Sequence, residues 1–215
     1  GKIYESNSYV LASMLKRLGC EVRLSGIVAD ELDTLRAAFQ QASEQSDLVI
    51  STGGVSVGEA DFVRDVLDEQ GEVTLWKLAI KPGKPFAFGT LANSLFAGLP
   101  GNPVSAAVTF DQLVVPVIRK LAGERMDSDS FSRVLLSAEL TQNIRHRPGR
   151  LELQRGLLAR AEAGQLVVTP LARQGSALLT TLSEANCYIR VPQENEGYSA
   201  GEQVEVELFE PYLGS

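Results

Sequence analysis

Histidine and cysteine are scarce in this 215-residue chain: one imidazole, His146, and two thiols, Cys20 and Cys187. With one imidazole, a histidine-based triad or a multi-histidine zinc site would need other residues to substitute. The two cysteines lie far apart, in no metal-like spacing, and are expected to be buried free thiols in a reducing compartment. No run of about 18 apolar residues occurs, so no membrane span is expected. The N-terminus has no basic segment followed by an apolar one. No signal peptide is therefore expected, and the cytoplasm is the expected location. The chain opens on Gly1 rather than Met, and the expectation is a piece of a longer protein.

The most telling absence is local. Between Val73 and Phe110 there is no Asp or Glu, while Lys77, Lys81 and Lys84 all fall there. The whole chain carries −7, so this run is +3 and the remainder −10. Such a segment reads as a local anion site, or as three lysines on a solvated face. A nucleic-acid surface would need wider positive charge, so no nucleic-acid partner is expected. The run also holds two Pro/Gly clusters, Lys81-Pro82-Gly83-Lys84-Pro85 and Leu99-Pro100-Gly101-Asn102-Pro103, which stiffen the backbone and expose it.

What is present divides the chain in two. Up to about residue 124, helix and strand signals alternate. Ser6 or Asn7 can cap a helix with Val10, Leu11, Met14, Leu15 and Leu18 on one face, ended by Gly19. Cys20 to Val28 reads as a strand. Asp30 or Asp33 caps a helix through Leu35, Phe39 and Ala42. Asp47–Ser51 is a β-rich run entering Gly53-Gly54, and Asp61–Glu69 reads as a helix. Strands are expected near Val73–Leu78, Pro85–Phe88 and Ser94–Ala97. Pro103 then opens a helix to about Leu121. This order predicts a layered α/β domain, residues 1–124, with a mostly parallel sheet. From residue 125 to 215 the pattern turns to short alternating runs: Arg133–Leu140, Arg150–Ala159, Gln165–Pro170, Ala185–Val191 and Gln203–Phe209. Ala161–Gly164 serves as a hairpin connection. Runs at that spacing predict a small all-β barrel or sandwich.

Three segments could carry chemistry. In an open α/β sheet, ligands gather beyond the C-terminal ends of the strands. There Gly53 and Gly54 can turn backbone N–H groups toward a ligand, with Thr52 and Ser56 adding hydroxyls and Asp61 starting the next helix. A plain glycine turn with Asp61 as a helix cap is the alternative. Pro100-Gly101-Asn102-Pro103 also follows a strand and precedes a helix, with Asn102 at the cap and Ser105 in the first turn. A helix start carries about half a positive charge and suits an oxyanion, or it is simply a stiff helix entry. Asp30 follows a strand end. With Asp61 it offers two carboxylates for one hydrated magnesium alongside substrate phosphates, unless it merely caps the next helix. None of this matches the G-x-G-x-x-G fingerprint or a Walker loop, since Pro85 follows Lys84 where Ser or Thr is needed.

Four blocks together resemble one family. They are Gly1-Lys2-Ile3-Tyr4-Glu5-Ser6-Asn7, the run Ser51–Asp61 (STGGVSVGEAD), the run Trp76–Pro85 (WKLAIKPGKP), and the run Gly98–Ser105 (GLPGNPVS). In this order they resemble the molybdopterin molybdenumtransferases of the MoeA and gephyrin E-domain type, over residues 1 to about 123. The β-rich tail, with Gln174-Gly175-Ser176, is similar to that family's C-terminal domain. The resemblance implies an enzyme that binds adenylylated molybdopterin and molybdate, inserts the metal into the dithiolene and releases AMP, with magnesium as divalent cation. By motif position it assigns Asp30 and Asp61 to the cation and phosphate region, and Gly53, Gly54 and Ser56 to the pterin or phosphates. Lys77, Lys81 and Lys84 go to molybdate or phosphates. Pro100 and Pro103 shape the molybdate pocket, and Ser176 is a further candidate for it. Asn7, Gly101, Asn102 and Ser105 fall in the same blocks and count with the cofactor-binding set.

The family pattern includes two further domains and an acidic Thr-Gly-Asp-Glu-Leu-like segment before the position of Gly1. Those domains help the full-length protein form a homodimer. Two other functions compete. One is the related adenylyltransferase that activates molybdopterin, against which stand Gly58-Glu59-Ala60-Asp61 and the β-rich tail. The other is a non-catalytic scaffold of the gephyrin E-domain kind.

Overall fold

The computed structural model describes residues 6–53, 62–125 and 133–209. In chain order the elements are α1 (Asn7–Arg17), α2 (Leu32–Gln45), β1 (Leu48–Thr52), α3 (Phe62–Gln70), β2 (Gly71–Lys77), β3 (Ile80–Lys81), β4 (Pro85–Leu91), β5 (Ser94–Leu99) and α4 (Pro103–Thr109). A π-helical turn (Phe110–Val114) leads to α5 (Val115–Leu121). Then follow β6 (Leu135–Leu140), β7 (Ile144–Arg145), β8 (Leu151–Arg160), β9 (Leu166–Pro170), α6 (Thr180–Glu184), β10 (Cys187–Val191), β11 (Gly197–Tyr198) and β12 (Gln203–Leu208). They form two compact units. The first takes residues 1–78 and 83–110, the second residues 79–82 and 111–215.

The first unit is an α/β layer whose sheet runs β1-β5-β4-β2. Val49, Ala87, Leu91 and Phe96 from the strands pack with Leu35 and Phe39 of α2 and Val63, Val66 and Leu67 of α3. Phe39 meets Phe96 edge-on, with ring centroids 5.7 Å apart, an arrangement worth about 1 kcal/mol beyond its buried area. The expectation of a mostly parallel sheet is corrected in its detail. Among the described strands β1–β5 is parallel, while β5–β4 and β4–β2 are antiparallel. The physical reason is the short link Ala92-Asn93 between β4 and β5, because a two-residue connection can join only antiparallel strands. Ala92 takes the positive φ (48°) that such a turn requires.

The expected strand at Cys20–Val28 is also corrected, since no strand is assigned there. A strand needs a partner for its backbone groups, and among the described strands none pairs with this segment. Leu24 and Ile27, which would stand on opposite faces of such a strand, are 58% and 84% exposed, so neither face is buried at these positions. Of the two thiols, Cys187 is buried, and burial pushes its pKa up to about 12. Cys20 is only half-buried, which corrects the expectation that both would be inside.

The second unit is β-rich. Strands β8, β9, β6, β12 and β10 pair in that order, and β10 pairs back onto β8, closing a five-stranded barrel. Its interior holds Ala138, Leu140, Val168, Cys187, Ile189, Val191, Val204 and Val206. Along β12 the alternation puts Val204 and Val206 inside, as a half-buried strand requires. The hairpin expected at Ala161–Gly164 joins β8 to β9, with Arg160 opposite Leu166. Strand β3 adds to β8 in parallel, placing Lys81 opposite Glu152. A buried charge cluster also belongs to this unit. Arg133 bonds Asp111 at 2.9 Å and Glu207 at 3.1 Å, and Arg190 bonds Glu207 at 3.0 Å. Gln112 donates to both carboxylates.

Candidate active site

In the first unit, strand direction decides which loops meet. Strands β1 and β5 run parallel and end together, Thr52 opposite Leu99. The Gly53 N–H donates to the Leu99 carbonyl at 3.1 Å. Because β4 is antiparallel to β5, it starts where β5 ends, and Pro85 at its start lies opposite Lys77 at the end of β2. One sheet edge therefore collects Gly53, Lys77, Lys84, Pro100, Gly101, Asn102 and Pro103. At that edge a Cβ added to Gly101 would lie 3.9 Å from the Gly53 Cα, so two backbones approach where neither carries a side chain. Lys77 and Lys84 are exposed, and no carboxylate occurs from Val73 to Phe110 to neutralise them.

Two supports hold this edge. The Asn7 side chain is 8% exposed and donates from Nδ2 to the Gly101 carbonyl at 2.8 Å. It serves as a tertiary strut rather than a helix cap. The second support is Gly83, at φ +116°, where a Cβ would sit 2.5 Å from Thr109 Oγ1 of α4. Only glycine lets the lysine loop lie this close to the helix. The Leu78 N–H closes the base of that loop by donating to the Lys84 carbonyl at 2.7 Å. Asn102 takes the extended backbone of an N-cap, and its side chain makes no cap bond. Its carbonyl accepts from the Ala106 N–H at 2.8 Å, and Ser105 is buried within the first turn. The Ser51 hydroxyl, one residue before Thr52, is buried without a partner among the described residues. A buried polar group left so calls for a partner from elsewhere.

Asp30 is exposed just before α2. The link from α2 to β1 is Ser46-Asp47, so helix and strand run in opposite directions. The start of α2, with Asp30, accordingly lies toward the end of β1 that carries Gly53. Gly54, Ser56 and Asp61 lie outside the described residues. Among the described residues no three carboxylate, imidazole or thiol groups cluster as metal ligands.

Lys81 belongs to the second unit. Its Nζ lies 2.8 Å from Glu152 Oε1, and Glu152 Oε2 lies 2.9 Å from His146 Nδ1. Burial alone would raise the Glu152 pKa. Hydrogen bonds and charge from Lys81 and His146 outweigh it, and the carboxyl is held below its usual range. These three side chains line a pocket of about 330 Å³ with Arg147, Pro148, Gly149 and Arg150. Elsewhere on β8, Arg155 is 1% exposed and reaches Thr181 at 3.2 Å and the Gly175 carbonyl at 3.3 Å, next to half-buried Ser176. Gln174 straps the same turn by bonding the Arg155 backbone in both directions at 2.9 Å.

Glu152, His146, Arg147, Arg150 and Arg155 escaped the sequence reading as site residues. A signal for some of them was available. Arg147-Pro148-Gly149-Arg150 repeats the order of base, proline, glycine and base found in Lys81-Pro82-Gly83-Lys84.

A glycine- and lysine-lined edge of an α/β sheet in one unit and a closed β-barrel in the other define a class of two-unit, α/β-plus-barrel proteins. Comparison with known proteins narrows that class. Residues 1–120 match the model of a probable molybdopterin binding domain, and residues 137–209 match the MoeA C-terminal region, domain IV. The molybdopterin molybdenumtransferase of Haemophilus influenzae is 47% identical over 214 residues, which is 100% of this chain and 52% of that protein. Gephyrin of Dictyostelium discoideum is 30% identical over 239 residues, covering 98% of this chain and 33% of its own. A solved molybdopterin biosynthesis moeA protein from Pyrococcus horikoshii superimposes with a TM-score of 0.74 at 26% identity, over 97% of this chain and 47% of that one. The chain belongs to the molybdopterin molybdenumtransferase family of the MoeA and gephyrin E-domain type. It spans about half the length of the Haemophilus influenzae relative.

Proposed function

We propose that this chain forms part of an enzyme that inserts molybdate into adenylylated molybdopterin and releases AMP. The observation that carries the reading is the shared edge of Gly53, Gly101, Lys77 and Lys84. It presents side-chain-free backbone at Gly53 and Gly101, and the exposed ammoniums of Lys77 and Lys84, to a phosphate-rich ligand. Gly53, Gly54 and Ser56 line the pterin or phosphate site, and Asn7, Gly101, Asn102 and Ser105 hold its frame. Lys77, Lys81 and Lys84 bind molybdate or phosphates. Pro100 and Pro103 shape the molybdate pocket, with Ser176 contributing.

Asp30 and Asp61 are the residues that would hold magnesium. Magnesium keeps several waters and binds through one or two carboxylates plus substrate phosphates, so a small donor set from the chain fits it. Bound there, it would supply positive charge beside the substrate phosphates. The chain's own residues orient the ligand, supply fixed cations and leave the edge open to the nucleotide. The full-length protein acts in the cytoplasm as a homodimer. No described helix is long and apolar enough to cross a membrane.

The test is AMP release by the full-length protein given adenylylated molybdopterin, molybdate and magnesium. Release is expected, and chelation by EDTA stops it until magnesium is restored. Asp61→Ala reduces turnover at least about a hundredfold, the loss typical of a removed electrostatic group. No AMP release by the wild type would overturn the enzyme reading and leave the scaffold. AMP transfer from ATP to free molybdopterin would indicate the adenylyltransferase.

A further inference from the structure

The Lys81 ammonium is held in an unusual way for a lysine of its exposure. Its side chain is 47% exposed, yet Nζ bonds a carboxylate that is itself 5% exposed. Surface lysines ordinarily sample many rotamers, and an exposed ion pair holds them weakly. Here the carboxylate cannot swing. Glu152 Oε1 takes Lys81 at 2.8 Å and Oε2 takes His146 Nδ1 at 2.9 Å. The imidazole is 2% exposed, and its Nε2 is buried without a partner among the described residues. The backbone fixes the register beneath. Lys81 pairs opposite Glu152, and the Leu151 N–H donates to the Ala79 carbonyl at 2.8 Å. The Gly149 N–H ties the neighbouring turn to the Gln193 carbonyl at 2.7 Å.

The surroundings make this placement informative. Besides Lys81, the pocket of about 330 Å³ is lined by Arg147 and Arg150, and Glu152 is its one acidic wall residue. A buried carboxylate in the wall of a cationic pocket works against anion binding by simple charge. It also carries a desolvation penalty unless paired. The gain it brings is order: a fixed ammonium binds a tetrahedral dianion without first losing rotamer freedom.

We infer that Glu152 is the positioning residue of Lys81, with His146 locking the Glu152 carboxylate so that the ammonium is presented to a tetrahedral dianion. The inference rests on the proposed use of Lys81 for molybdate. It goes beyond that reading by assigning roles to two residues outside the four sequence blocks.

The experiment is a double-mutant cycle on the 215-residue chain, with molybdate binding read by calorimetry and sulfate as a second probe. His146 is the only histidine, so its ring signals report the cluster by NMR without ambiguity. Glu152→Gln and Lys81→Ala are each expected to weaken molybdate binding about tenfold, the size of one charge-assisted hydrogen bond. The double variant is expected to be no weaker than Lys81→Ala alone. In the ligand-free protein both single variants shift the His146 ring signals. Tighter or unchanged binding by Glu152→Gln would overturn the inference, because that is the result of merely removing a negative charge. Additive losses in the double variant would overturn it as well.

Should Glu152→Gln fail to fold, His146→Ala replaces it. That variant is expected to weaken binding about threefold, and unchanged binding there removes the locking role. A full-length wild type that releases no AMP defeats the functional reading, not this one. The ligand-free His146 signals still decide the relay, and it falls if both single variants leave them unmoved.

Discussion

At the scale of single residues, the site is held by side chains whose local preference was overridden. Asn7 is a good helix cap by type, but its amide reaches across the unit to the Gly101 carbonyl instead. Asn102 sits at a cap position and makes no side-chain cap bond. Local preference is worth about 1 kcal/mol at such positions, little enough for a tertiary contact to redirect. Glu152 shows the same override in its protonation. Its folded pKa lies below the unfolded value near 4.5, so its contribution to stability is present above that value. The contribution is lost as pH falls through the folded pKa. Glu152→Gln is therefore expected to be less stable than the wild type at pH 7. The gap should close as pH drops below about 4.5, as followed by thermal unfolding across pH. A gap that stays constant down to pH 3 would show that the pairing carries no stability.

At the scale of elements, most helices and the five barrel strands of the second unit were legible, because their apolar residues repeat at helical or alternating spacing, whereas the two-residue strands β3, β7 and β11 are too short to show a period. The runs at Arg133–Leu140, Gln165–Pro170 and Gln203–Phe209 appear as β6, β9 and β12 within a residue or two. The failure at Cys20–Val28 is of a different kind. Alternation marks a segment able to form a strand, but a strand exists only where a partner edge is free. The short sequence between β4 and β5 likewise set an antiparallel pair that the alternation of helices and strands had obscured. Close packing of β2 on β4 makes a sharp prediction. A Cβ at Gly89 would lie 2.0 Å from the Glu72 carbonyl oxygen and 2.7 Å from the Val73 Cα. Those are backbone atoms that cannot step aside. Gly89→Ala is expected to cost about 3 kcal/mol, read from chemical denaturation. A loss under about 1 kcal/mol would mean that the two strands separate easily.

At the scale of the molecule, the second unit draws on residues well before the β-rich stretch. Asp111, which Arg133 bonds at 2.9 Å, and Ile80-Lys81, which extend β8, both belong to it. A piece comprising residues 125–215 lacks them. It would leave Arg133 without one buried counter-charge and β8 without β3. Breaking a buried pair this way costs about 3–5 kcal/mol. The piece is expected to melt well below a longer one that starts at residue 79, measured by circular dichroism. Equal melting temperatures would place the folding boundary near residue 125, where the change in sequence pattern lies.

The sequence alone determined the division into an α/β and a β-rich part, the absence of acid from Val73 to Phe110, and the order of the four blocks that identify the family. All of these are properties of neighbours along the chain, written in spacing, composition and turn residues. Tertiary structure alone decided which of the lysines share an edge and which one is tied to a buried carboxylate. Lys77 and Lys84 come together through strand direction and register. Lys81, only three residues before Lys84, pairs with β8 and belongs to the second unit. Contacts between residues distant in sequence depend on how strands pair and helices pack, and no local pattern encodes that choice.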